Sequence, residues 1–409
     1  MTSRLLLVAL LSLGVAACGD DGGTFLPDGG FGTDAGTGGG DAGGGGGSDA
    51  GGGGGTDAGG GTDTGGGGGG ETPVACTTFA GAGTTVSGDM YVDDDQSERS
   101  LWDLPNVGAG GEAVVGVSMR LIGADGVTQG ITCDDGTWGF SDLSGDTWIV
   151  DVEWPEGTIC RTRNCTRRFG DAAAEGSVKI LTIGDSVPVV GDAPFFPERL
   201  GGMVSAVAEV EIVNNAVGGT TSEDWVPGSQ LYNERLAPHI ADTDVFIVSI
   251  GGNDFLQYVN EGAASDPIGA LNGIPDFVRE VMGRVIDIKD EVRSQNPDAD
   301  LVYLLYPNYA TSDMWASQFG FAASFIEDAV TDALEQILNE LAVSEDIILV
   351  DFYGYFRETG LDLDDYLYDQ LHFNDAGQEV YARQIFEALG GATTVEAAIG
   401  LETRYALEP

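Results

Sequence analysis

One serine follows an apolar run in a way that places it where a sheet could present it for chemistry. Residues 178–183 (VKILTI) are mostly apolar or β-branched, and they end abruptly at Gly184-Asp185-Ser186. A buried strand that stops at a turn has this pattern. Because ligands of open α/β sheets bind outside the carboxyl ends of the strands, Ser186 is a candidate nucleophile.

A serine hydroxyl needs a base within hydrogen-bond reach, and the base needs a group that orients it. The chain has two histidines. His239 precedes the third predicted strand, which places it at the opposite edge of the sheet, so we expect it to be structural or solvated. His372 lies three residues after Asp369 on a turn into a helix. This spacing lets the Asp369 carboxylate reach Nδ1 and leaves Nε2 facing Ser186.

Acyl transfer also needs donors aimed at the developing oxyanion. Residues 214–221 (NNAVGGTT) follow the second predicted strand, and Gly251-Gly252-Asn253-Asp254 follow the third. The predicted donors are the backbone N–H groups of Ser186 and Gly219 and the side chain of Asn253. Gly218 is an alternative to Gly219 because the two glycines are adjacent. Taken singly, these motifs could also be tight turns, since Gly and Asn are common turn residues.

An alternation of buried strands and amphipathic helices has to position these side chains. Near-continuous apolar runs predict parallel strands, and apolar residues at three- to four-residue spacing predict helices. The predicted strands are 178–183, 210–213, 245–250, 301–306 and 347–350, and the predicted helices include 276–293, 325–341 and 375–389. Such alternation favours a doubly wound sheet with right-handed crossovers. The candidate site residues follow its first, second, third and fifth strands.

Gly184-Asp185-Ser186, Val217-Gly218-Gly219, Gly251-Gly252-Asn253-Asp254 and Asp369-Gln370-Leu371-His372 together resemble the four blocks of the SGNH/GDSL hydrolase family. The resemblance covers roughly residues 177–390. It implies a flavodoxin-like three-layer α/β/α sandwich with a five-stranded parallel sheet. It also implies a serine esterase site without metal or cofactor.

By the same resemblance, each site residue has a role. Ser186 matches the nucleophile, His372 the base, Asp369 its partner, and Gly219 and Asn253 the oxyanion donors. Val187 departs from the pattern, since many members carry a small or polar residue after the serine. The rival Gly-x-Ser-x-Gly nucleophile motif is absent from the sequence.

The first eighteen residues are typical of a targeting segment. Arg4 precedes an apolar run over residues 5–15, which ends in Val15-Ala16-Ala17-Cys18. This resembles the bacterial lipobox and predicts a lipoprotein signal peptide over 1–18 with a lipid on Cys18; the alternative is an ordinary secretory signal. Gly19, rather than Asp, follows Cys18, which by resemblance to sorting signals favours the outer membrane. We therefore expect export and a lipid anchor on the cell envelope, at the outer membrane or cell surface.

Residues 19–72 are a Gly/Asp-rich linker that cannot bury a core, so we expect it to be disordered. A calcium-binding repeat is the alternative, but its spacing would be irregular. Residues 73–172 alternate short apolar runs with turn residues, which predicts a small β-rich domain. The hydrolase domain is predicted over 175–398, followed by a C-terminal tail over 399–409.

The β-rich domain holds four of the five cysteines: Cys76, Cys133, Cys160 and Cys165. In an exported domain they predict two disulfides, with three possible pairings, rather than a zinc site. The domain also carries Trp102, Trp138, Trp148 and Trp154, which could stack on sugars but are expected to fill a small core. Arg161, Arg163, Arg167 and Arg168 are expected to pair with carboxylates, and Asp93-Asp94-Asp95 to form a solvated turn rather than a calcium site.

The charge balance excludes some partners. The chain has 66 Asp and Glu against 17 Lys and Arg, a net charge of −49, which repels nucleic acid and anionic lipid headgroups. The sequence thus predicts an exported serine esterase, possible substrates being acylated carbohydrates, with lipid or aryl esters as the alternative. A non-catalytic glycan-binding surface protein is the alternative from another class. Several aromatic residues near the motifs could line an acyl or alcohol pocket or belong to the core: Phe195, Phe196, Trp225, Phe255, Tyr258 and Phe373.

Overall fold

The computed structural model describes residues 86–92, 112–113, 115–141, 143–153, 158–160, 166–319, 323–341, 347–393 and 403–407. The predicted signal peptide with Cys18, the linker, and the residues Cys76, Cys165, Trp102, Trp154, Arg161, Arg163 and Asp93-Asp94-Asp95 lie outside this range or have no described side chain. Within the described range, no helix has both the length and the apolar character needed to cross a membrane.

Strands dominate the first part of the described chain. They are β1 (Val86–Val92), β2 (Glu112–Ala113), β3 (Ser118–Gly123), β4 (Gly126–Ile131), β5 (Thr137–Phe140), β6 (Thr147–Val152) and β7 (Thr158–Cys160).

Helices and strands then alternate, in the order α1 (Phe169–Glu175), β8 (Ser177–Gly184), α2 (Phe196–Val204), β9 (Glu209–Asn214), β10 (Val245–Ser249), α3 (Gly252–Ser265), α4 (Pro267–Gln295), β11 (Asp300–Leu305), α5 (Asp313–Phe319), α6 (Ala323–Leu341), β12 (Ile348–Asp351), α7 (Phe352–Thr359) and α8 (Asp375–Ala388). Two short strands end the described chain, β13 (Gly391–Thr393) and β14 (Thr403–Leu407).

The central sheet has five parallel strands in the order β9-β8-β10-β11-β12. Relative to their order along the chain this is 2-1-3-4-5, the flavodoxin-like arrangement, so the predicted fold is confirmed. Every residue of β10 and β11 is buried, as expected for strands covered by helices on both faces. The strand order reverses between β8 and β10, and ligands bind at such a point in doubly wound folds.

Each face of the sheet packs against its own set of helices. Successive residues of a strand point to opposite faces. Val178 and Ile180 of β8 therefore pack in one cluster, with α2 and α8, while Leu181 and Ile183 pack in another, with α4 and α6. The predicted apolar stripe of α4 lies in the second cluster, where Val281, Val285, Ile288 and Val292 are buried. The two layers fix the carboxyl ends of the strands.

The chain after α8 returns to the β-rich region, which corrects two predicted boundaries. β13 pairs with β6 in a four-stranded sheet of order β13-β6-β3-β4, and β14 pairs with β1 and β7. The segment predicted as a tail thus contains the strand β14. The hydrolase domain, predicted to extend to residue 398, includes β13, which belongs to a sheet of the β-rich region. Backbone pairing with distant strands stabilises these short segments.

The β-rich and α/β regions share a core, so the first is not a separate small domain. Ile122 of β3 and Ile149 of β6 lie in the same apolar cluster as Val178 of β8. Helix α1 bridges the two regions, because the Asp300 carboxylate accepts hydrogen bonds from the backbone N–H groups of residues 167, 168 and 169. The described residues of both regions belong to one compact unit.

The predictions for side chains of the β-rich region have mixed outcomes. Trp138 and Trp148 are buried in its core, as expected, and are unavailable for stacking on sugars. Arg168 pairs with Asp244 and Glu175. Cys133 is buried and disulfide-bonded. Because the side chains of the other three cysteines are not described, the pairing stays a prediction.

Candidate active site

The turn that carries Ser186 is fixed by close contact with the neighbouring strand. β8 ends at Gly184, whose φ of 144° lies in the range that favours glycine. A Cβ atom at Gly184 would lie 2.0 Å from the carbonyl oxygen of Ser249 on β10. The N–H of Asp185 donates to that same oxygen at 2.9 Å. The glycine therefore lets the chain turn directly against β10 and present Ser186 at the sheet edge.

The carbonyl of Ser186 is hydrogen-bonded, whereas its N–H has no protein acceptor among the described residues. Its carbonyl oxygen accepts hydrogen bonds from the N–H groups of Val189 and Val190, at 3.0 and 2.8 Å. The Asp185 carboxylate accepts from the Val187 N–H at 3.1 Å. Within the described part of the chain, no protein acceptor takes the Ser186 N–H. This N–H is available to an oxygen atom of a substrate.

The structure brings Ser186, His372 and Asp369 into one hydrogen-bonded chain. His372 Nε2 lies 2.8 Å from Ser186 Oγ, and His372 Nδ1 lies 2.8 and 3.0 Å from the two Asp369 carboxylate oxygens. The Asp369 carboxylate also accepts hydrogen bonds from the N–H groups of Leu371 and His372, both at 2.9 Å. A carboxylate at Nδ1 favours the tautomer whose Nε2 can accept the serine proton.

Asp369 is held in its ionised form. Partial burial works to raise the pKa of this carboxyl, but hydrogen bonds from the His372 ring and from the backbone N–H groups of Leu371 and His372 outweigh it, so the pKa lies below its usual value. A permanent negative charge at this place can stabilise an imidazolium at His372.

The residues that follow His372 anchor its loop. Phe373 is fully buried, and its carbonyl accepts a hydrogen bond from the Asp192 N–H. The Asn374 side chain caps helix α8 by accepting from the Gly377 N–H at 3.1 Å. His239 lies instead in the helical turn Ala237–Asp242, just before the amino end of β10. The structure thus places His372 against Ser186 and His239 near the opposite edge of the sheet.

The two adjacent glycines of the second motif lie beside the serine. A Cβ atom at Gly218 would lie 3.7 Å from the Ser186 Cβ, whereas Gly219 has open space around it and a φ of 83°. The Asn253 amide donates to the carbonyl of Thr220 at 3.0 Å, which ties the third motif to this loop. The structure thus places both glycines and Asn253 at the same edge, and it leaves Gly218 and Gly219 as alternative donors.

Two supports of the glycine loop were missed from the sequence. Asp254 is buried and accepts hydrogen bonds from both the N–H and the hydroxyl of Ser222, at 2.8 and 2.5 Å. Thr220 Oγ donates to the carbonyl of Gly184 and accepts from the Trp225 indole, both at 3.0 Å. The aspartate that follows Asn253 in the third motif was the available signal, since an acid beside a donor has to be paired.

The end of the fourth strand also contributes, although sequence analysis assigned nothing there. Tyr306 directly follows β11. Its hydroxyl donates to Asp185 Oδ2 at 2.8 Å and lies 2.9 Å from Ser249 Oγ. Burial raises the pKa of Asp185 to about 7, although the hydrogen bonds from Val187 and Tyr306 oppose it. A tyrosine at a strand end, followed by Pro307, was the signal that could have found it.

An apolar cavity of about 100 Å³ opens beside the site. Gly252, Tyr306 and Leu371 border it on the side of the candidate triad, and helices α3, α4 and α6 supply its walls. Trp315 lies at its rim and donates to the carbonyl of Gln370 at 2.6 Å. The cavity therefore borders Tyr306, which bonds Asp185, and the residue before His372, while Ser186 and His372 themselves do not line it.

The aromatic residues suggested for a pocket are divided by the structure. Phe255 lines the cavity. Tyr258 stacks on Phe277 with ring centroids 4.3 Å apart, and Phe195 is half-buried at the start of α2. The other three are fully buried core residues: Phe196, Trp225 and Phe373. Among the described residues, no group of three or more His, Cys, Asp and Glu side chains could hold a metal ion.

Comparison with known families adds a match over this part of the chain. The model of the GDSL-like lipase/acylhydrolase family matches residues 182–380. These residues belong to that family. The GDSL-like domain therefore contains the whole hydrogen-bonded chain of Ser186, His372 and Asp369, and it is a carboxylic ester hydrolase, as the sequence resemblance implied.

Solved structures of similar proteins include three hydrolases, each of which covers about half of this chain. An extracellular lipase from Streptomyces rimosus is 17% identical, covering 52% of this chain and 99% of its own, with a TM-score of 0.40. A phospholipase A1 from Streptomyces albidoflavus NA297 is 20% identical, covering 51% and 98%, with a TM-score of 0.40. An acetylxylan esterase from Geobacillus stearothermophilus is 19% identical, covering 52% and 94%, with a TM-score of 0.36. No curated protein sequence matches the chain.

Proposed function

We propose that Ser186, His372 and Asp369 are the catalytic triad with which this protein hydrolyses carboxylic esters through an acyl-enzyme. The observation that supports this most strongly is the continuous chain from Ser186 Oγ through His372 to Asp369, with both His372 contacts at 2.8 Å. A nucleophile, a base and an orienting acid in this order are what acyl transfer requires.

The reaction follows from this geometry. Ser186 Oγ attacks the ester carbonyl carbon while its proton passes to His372 Nε2. The resulting imidazolium faces the ionised Asp369, and it gives the proton to the leaving alcohol as the carbon–oxygen bond breaks. A water molecule then attacks the acyl-enzyme, with His372 again taking and returning a proton, and the free acid leaves.

We assign the oxyanion to donors at the same edge. The free N–H of Ser186, the N–H of Gly219 or of its neighbour Gly218, and the Asn253 amide are the candidates. Asn253 Nδ2 already donates one hydrogen to Thr220, which orients the amide and leaves a second hydrogen available. Preorganised donors of this kind stabilise the negative charge that develops on the carbonyl oxygen.

We infer that the acyl group is short. The apolar cavity beside the triad is about 100 Å³, smaller than the ~150 Å³ apolar cavity that accommodates benzene. Tyr368, directly before Asp369, is 59% exposed and offers an aromatic face to the alcohol part of the substrate. These two features favour short-chain esters of a hydroxyl-rich alcohol, such as acetylated polysaccharide. Lipid or aryl esters remain the alternative substrate class.

A substrate panel tests this proposal. We expect p-nitrophenyl acetate and butyrate to be hydrolysed faster than long-chain homologues, and acetylated xylan to release acetate. Ser186→Ala should abolish both activities, while Ser205→Ala, at an exposed serine that bonds the carbonyl of Gly202, should keep them. If Ser186→Ala hydrolysed p-nitrophenyl acetate as fast as the parent protein, the triad would be misassigned. A preference for long acyl chains would favour the lipase alternative. A non-catalytic glycan-binding protein would show none of these activities.

We propose that the enzyme is exported and anchored by a lipid on Cys18, at the outer membrane or cell surface. The apolar run over residues 5–15, the small residues before Cys18 and the Gly-rich linker support this. Metabolic labelling with a fatty acid should mark the parent protein and not Cys18→Ser. Equal labelling of both would contradict the anchor.

A further inference from the structure

A buried carboxylate lies beneath the nucleophile and takes no part in the chain of Ser186, His372 and Asp369. Asp185 is 2% exposed, and it is the residue directly before Ser186. Its hydrogen-bond donors are the Val187 N–H, at 3.1 Å, and the Tyr306 hydroxyl, at 2.8 Å. A buried carboxylate without a cationic partner depends on such donors, because each one offsets part of the cost of burial.

The carboxylate closes a turn around Ser186. The Asp185 N–H is held by Ser249 on one side of the serine, and Asp185 Oδ1 holds the Val187 N–H on the other side. The N–H groups of Asp185 and Val187 are therefore hydrogen-bonded, while the N–H of Ser186 between them remains free for the oxyanion. The Asp185 side chain therefore has to stay turned toward Val187 and away from the Ser186 N–H.

Tyr306 is placed to keep the side chain in that position. Its hydroxyl lies between Asp185 Oδ2 and Ser249 Oγ, at 2.8 and 2.9 Å. Its ring is buried against Gly252, where a Cβ atom would lie 3.1 Å from the ring. The ring also borders the apolar cavity. Two hydrogen bonds therefore hold the hydroxyl, and the close approach of Gly252 restricts the ring.

We propose that Tyr306 is a positioning residue for the nucleophile: its hydroxyl holds the Asp185 carboxylate, and through it the turn that presents Ser186 and keeps the Ser186 N–H free. This rests on the proposed role of Ser186. Without the hydroxyl, Asp185 Oδ2 loses its donor in a buried place. The carboxylate then stays protonated up to a higher pH, and the protonated group holds the Val187 N–H less firmly, which disturbs the turn that carries Ser186.

The groups around Asp185 set the direction of the pH effect. Burial raises its pKa to about 7, Val187 and Tyr306 lower it, and the negative charge of Asp254 raises it. Tyr303 and Tyr381, which are buried, and Tyr309, which is half-buried, also lie near Asp185. Burial raises the pKa of each, so all three stay neutral in this range. His372 and Asp369 face Ser186 from the other loop. Loss of the Tyr306 donor should raise the pKa of Asp185 further.

The test compares Tyr306→Phe with the parent protein, using p-nitrophenyl acetate between pH 5 and 9. We expect kcat at pH 7 to fall about tenfold, with KM changed less than about twofold. The acid limb of the kcat profile should move to higher pH, because Asp185 then needs a higher pH to ionise. Unchanged kcat, or the same reduction at every pH, would overturn the proposal.

A matched control separates positioning from general loss of a buried hydroxyl. Tyr303 lies on β11, three residues before Tyr306, is buried, and donates to the carbonyl of Ile250 at 2.9 Å rather than to Asp185. Tyr303→Phe should leave the acid limb in place. In an Asp185→Asn background, adding Tyr306→Phe should produce no further shift of that limb. A shift in either control variant would contradict the proposed route through Asp185.

A second variant keeps the test valid if Tyr306→Phe does not fold. Ser249→Ala removes the other partner of the Tyr306 hydroxyl, and we expect a smaller shift of the acid limb in the same direction. No shift in a folded Ser249→Ala protein would count against the proposal. Labelling of Ser186 by a fluorophosphonate distinguishes the two levels: if the parent is not labelled, the proposed function fails, whereas a labelled parent with an unshifted Tyr306→Phe profile rejects only the positioning role.

Discussion

Two aspartates flank the candidate site, and their surroundings are opposite. Asp185 precedes Ser186 and is 2% exposed, whereas Asp369 lies near His372 and has a side chain that is 45% exposed. Both accept hydrogen bonds from backbone N–H groups a few residues further along the chain. Burial raises the pKa of Asp185 to about 7, while the His372 ring and backbone donors keep the pKa of Asp369 below its usual value. Local hydrogen bonding alone therefore does not decide the charge state.

The difference separates two roles. Asp369 remains charged, as a partner of an imidazolium must. Asp185 is buried, where a negative charge is costly, and its carboxylate closes the turn that carries Ser186. In the proposed mechanism, Asp369 therefore supplies a charge beside His372, whereas Asp185 sets the geometry of the turn that carries Ser186.

Removal of the base would have the largest effect on activity. We expect His372→Ala to lower kcat by about 10⁴–10⁶, because the serine proton then has no acceptor. Steady-state hydrolysis of p-nitrophenyl acetate measures this. His239→Ala is the control, since His239 lies before the amino end of β10, and it should retain activity. Comparable losses of activity in both variants would contradict the assignment of His372 as the base.

The charge of Asp369 is tested by an isosteric change. Asp369→Asn should lower kcat by about 10⁴, because an amide can hold the wrong imidazole tautomer and cannot stabilise the imidazolium. Thermal denaturation should show little loss of stability, since the residue is half-exposed. Asp375→Asn, at an exposed aspartate that begins helix α8 after the His372 loop, should keep activity. A fully active Asp369→Asn enzyme would remove the contrast between the two aspartates.

The oxyanion donor is expected to contribute less than the triad. Asn253→Ala should lower kcat by about 10²–10³ with a smaller change in KM, because the amide acts mainly on the transition state. The same kinetic assay checks this, with Asn233→Ala as an exposed asparagine control. A variant that changes KM and leaves kcat intact would indicate that Asn253 binds substrate instead.

The smallest effect concerns stability. The folded pKa of Asp185 lies above its ordinary value of 3.8, so its contribution to stability is complete below that value and is lost as pH rises through about 7. Asp185→Asn cannot ionise. Relative to this variant, the parent should lose about 1–3 kcal/mol of unfolding free energy between pH 4 and 8. Asp369, with a lowered pKa, contributes in the opposite direction. Urea denaturation at several pH values measures the difference, and parallel curves would contradict it.

Much of the site could be predicted because its parts follow strands in the sequence. The apolar runs that end at Gly184 and before Gly251 mark strand ends, and parallel strands bring their carboxyl ends to one edge. The two-histidine inventory reduced the base to a single candidate. Gly218 and Gly219 could not be separated, because their difference lies in φ and in the distance to Ser186.

Other features depend on contacts that local patterns do not contain. Tyr306 is the last residue of a predicted strand, and its role arises only from Asp185, which lies 121 residues earlier in the chain. The same holds for β13 and β14, whose three- and five-residue segments carry weak local signals and are stabilised by strands far away in sequence. Local patterns also could not predict the shared core of the β-rich and α/β regions. Helix α1 is short, and the carboxylate that accepts hydrogen bonds at its amino end belongs to the distant Asp300.

Covalent trapping shows directly whether Ser186 is the nucleophile. The parent protein is treated with a fluorophosphonate, and the modified peptide is identified by mass spectrometry alongside Ser186→Ala and His372→Ala. We expect one equivalent of label on Ser186 in the parent, none in Ser186→Ala and strongly slowed labelling in His372→Ala. Label on a different residue, or equal labelling of Ser186→Ala, would contradict the assignment of Ser186 as the nucleophile.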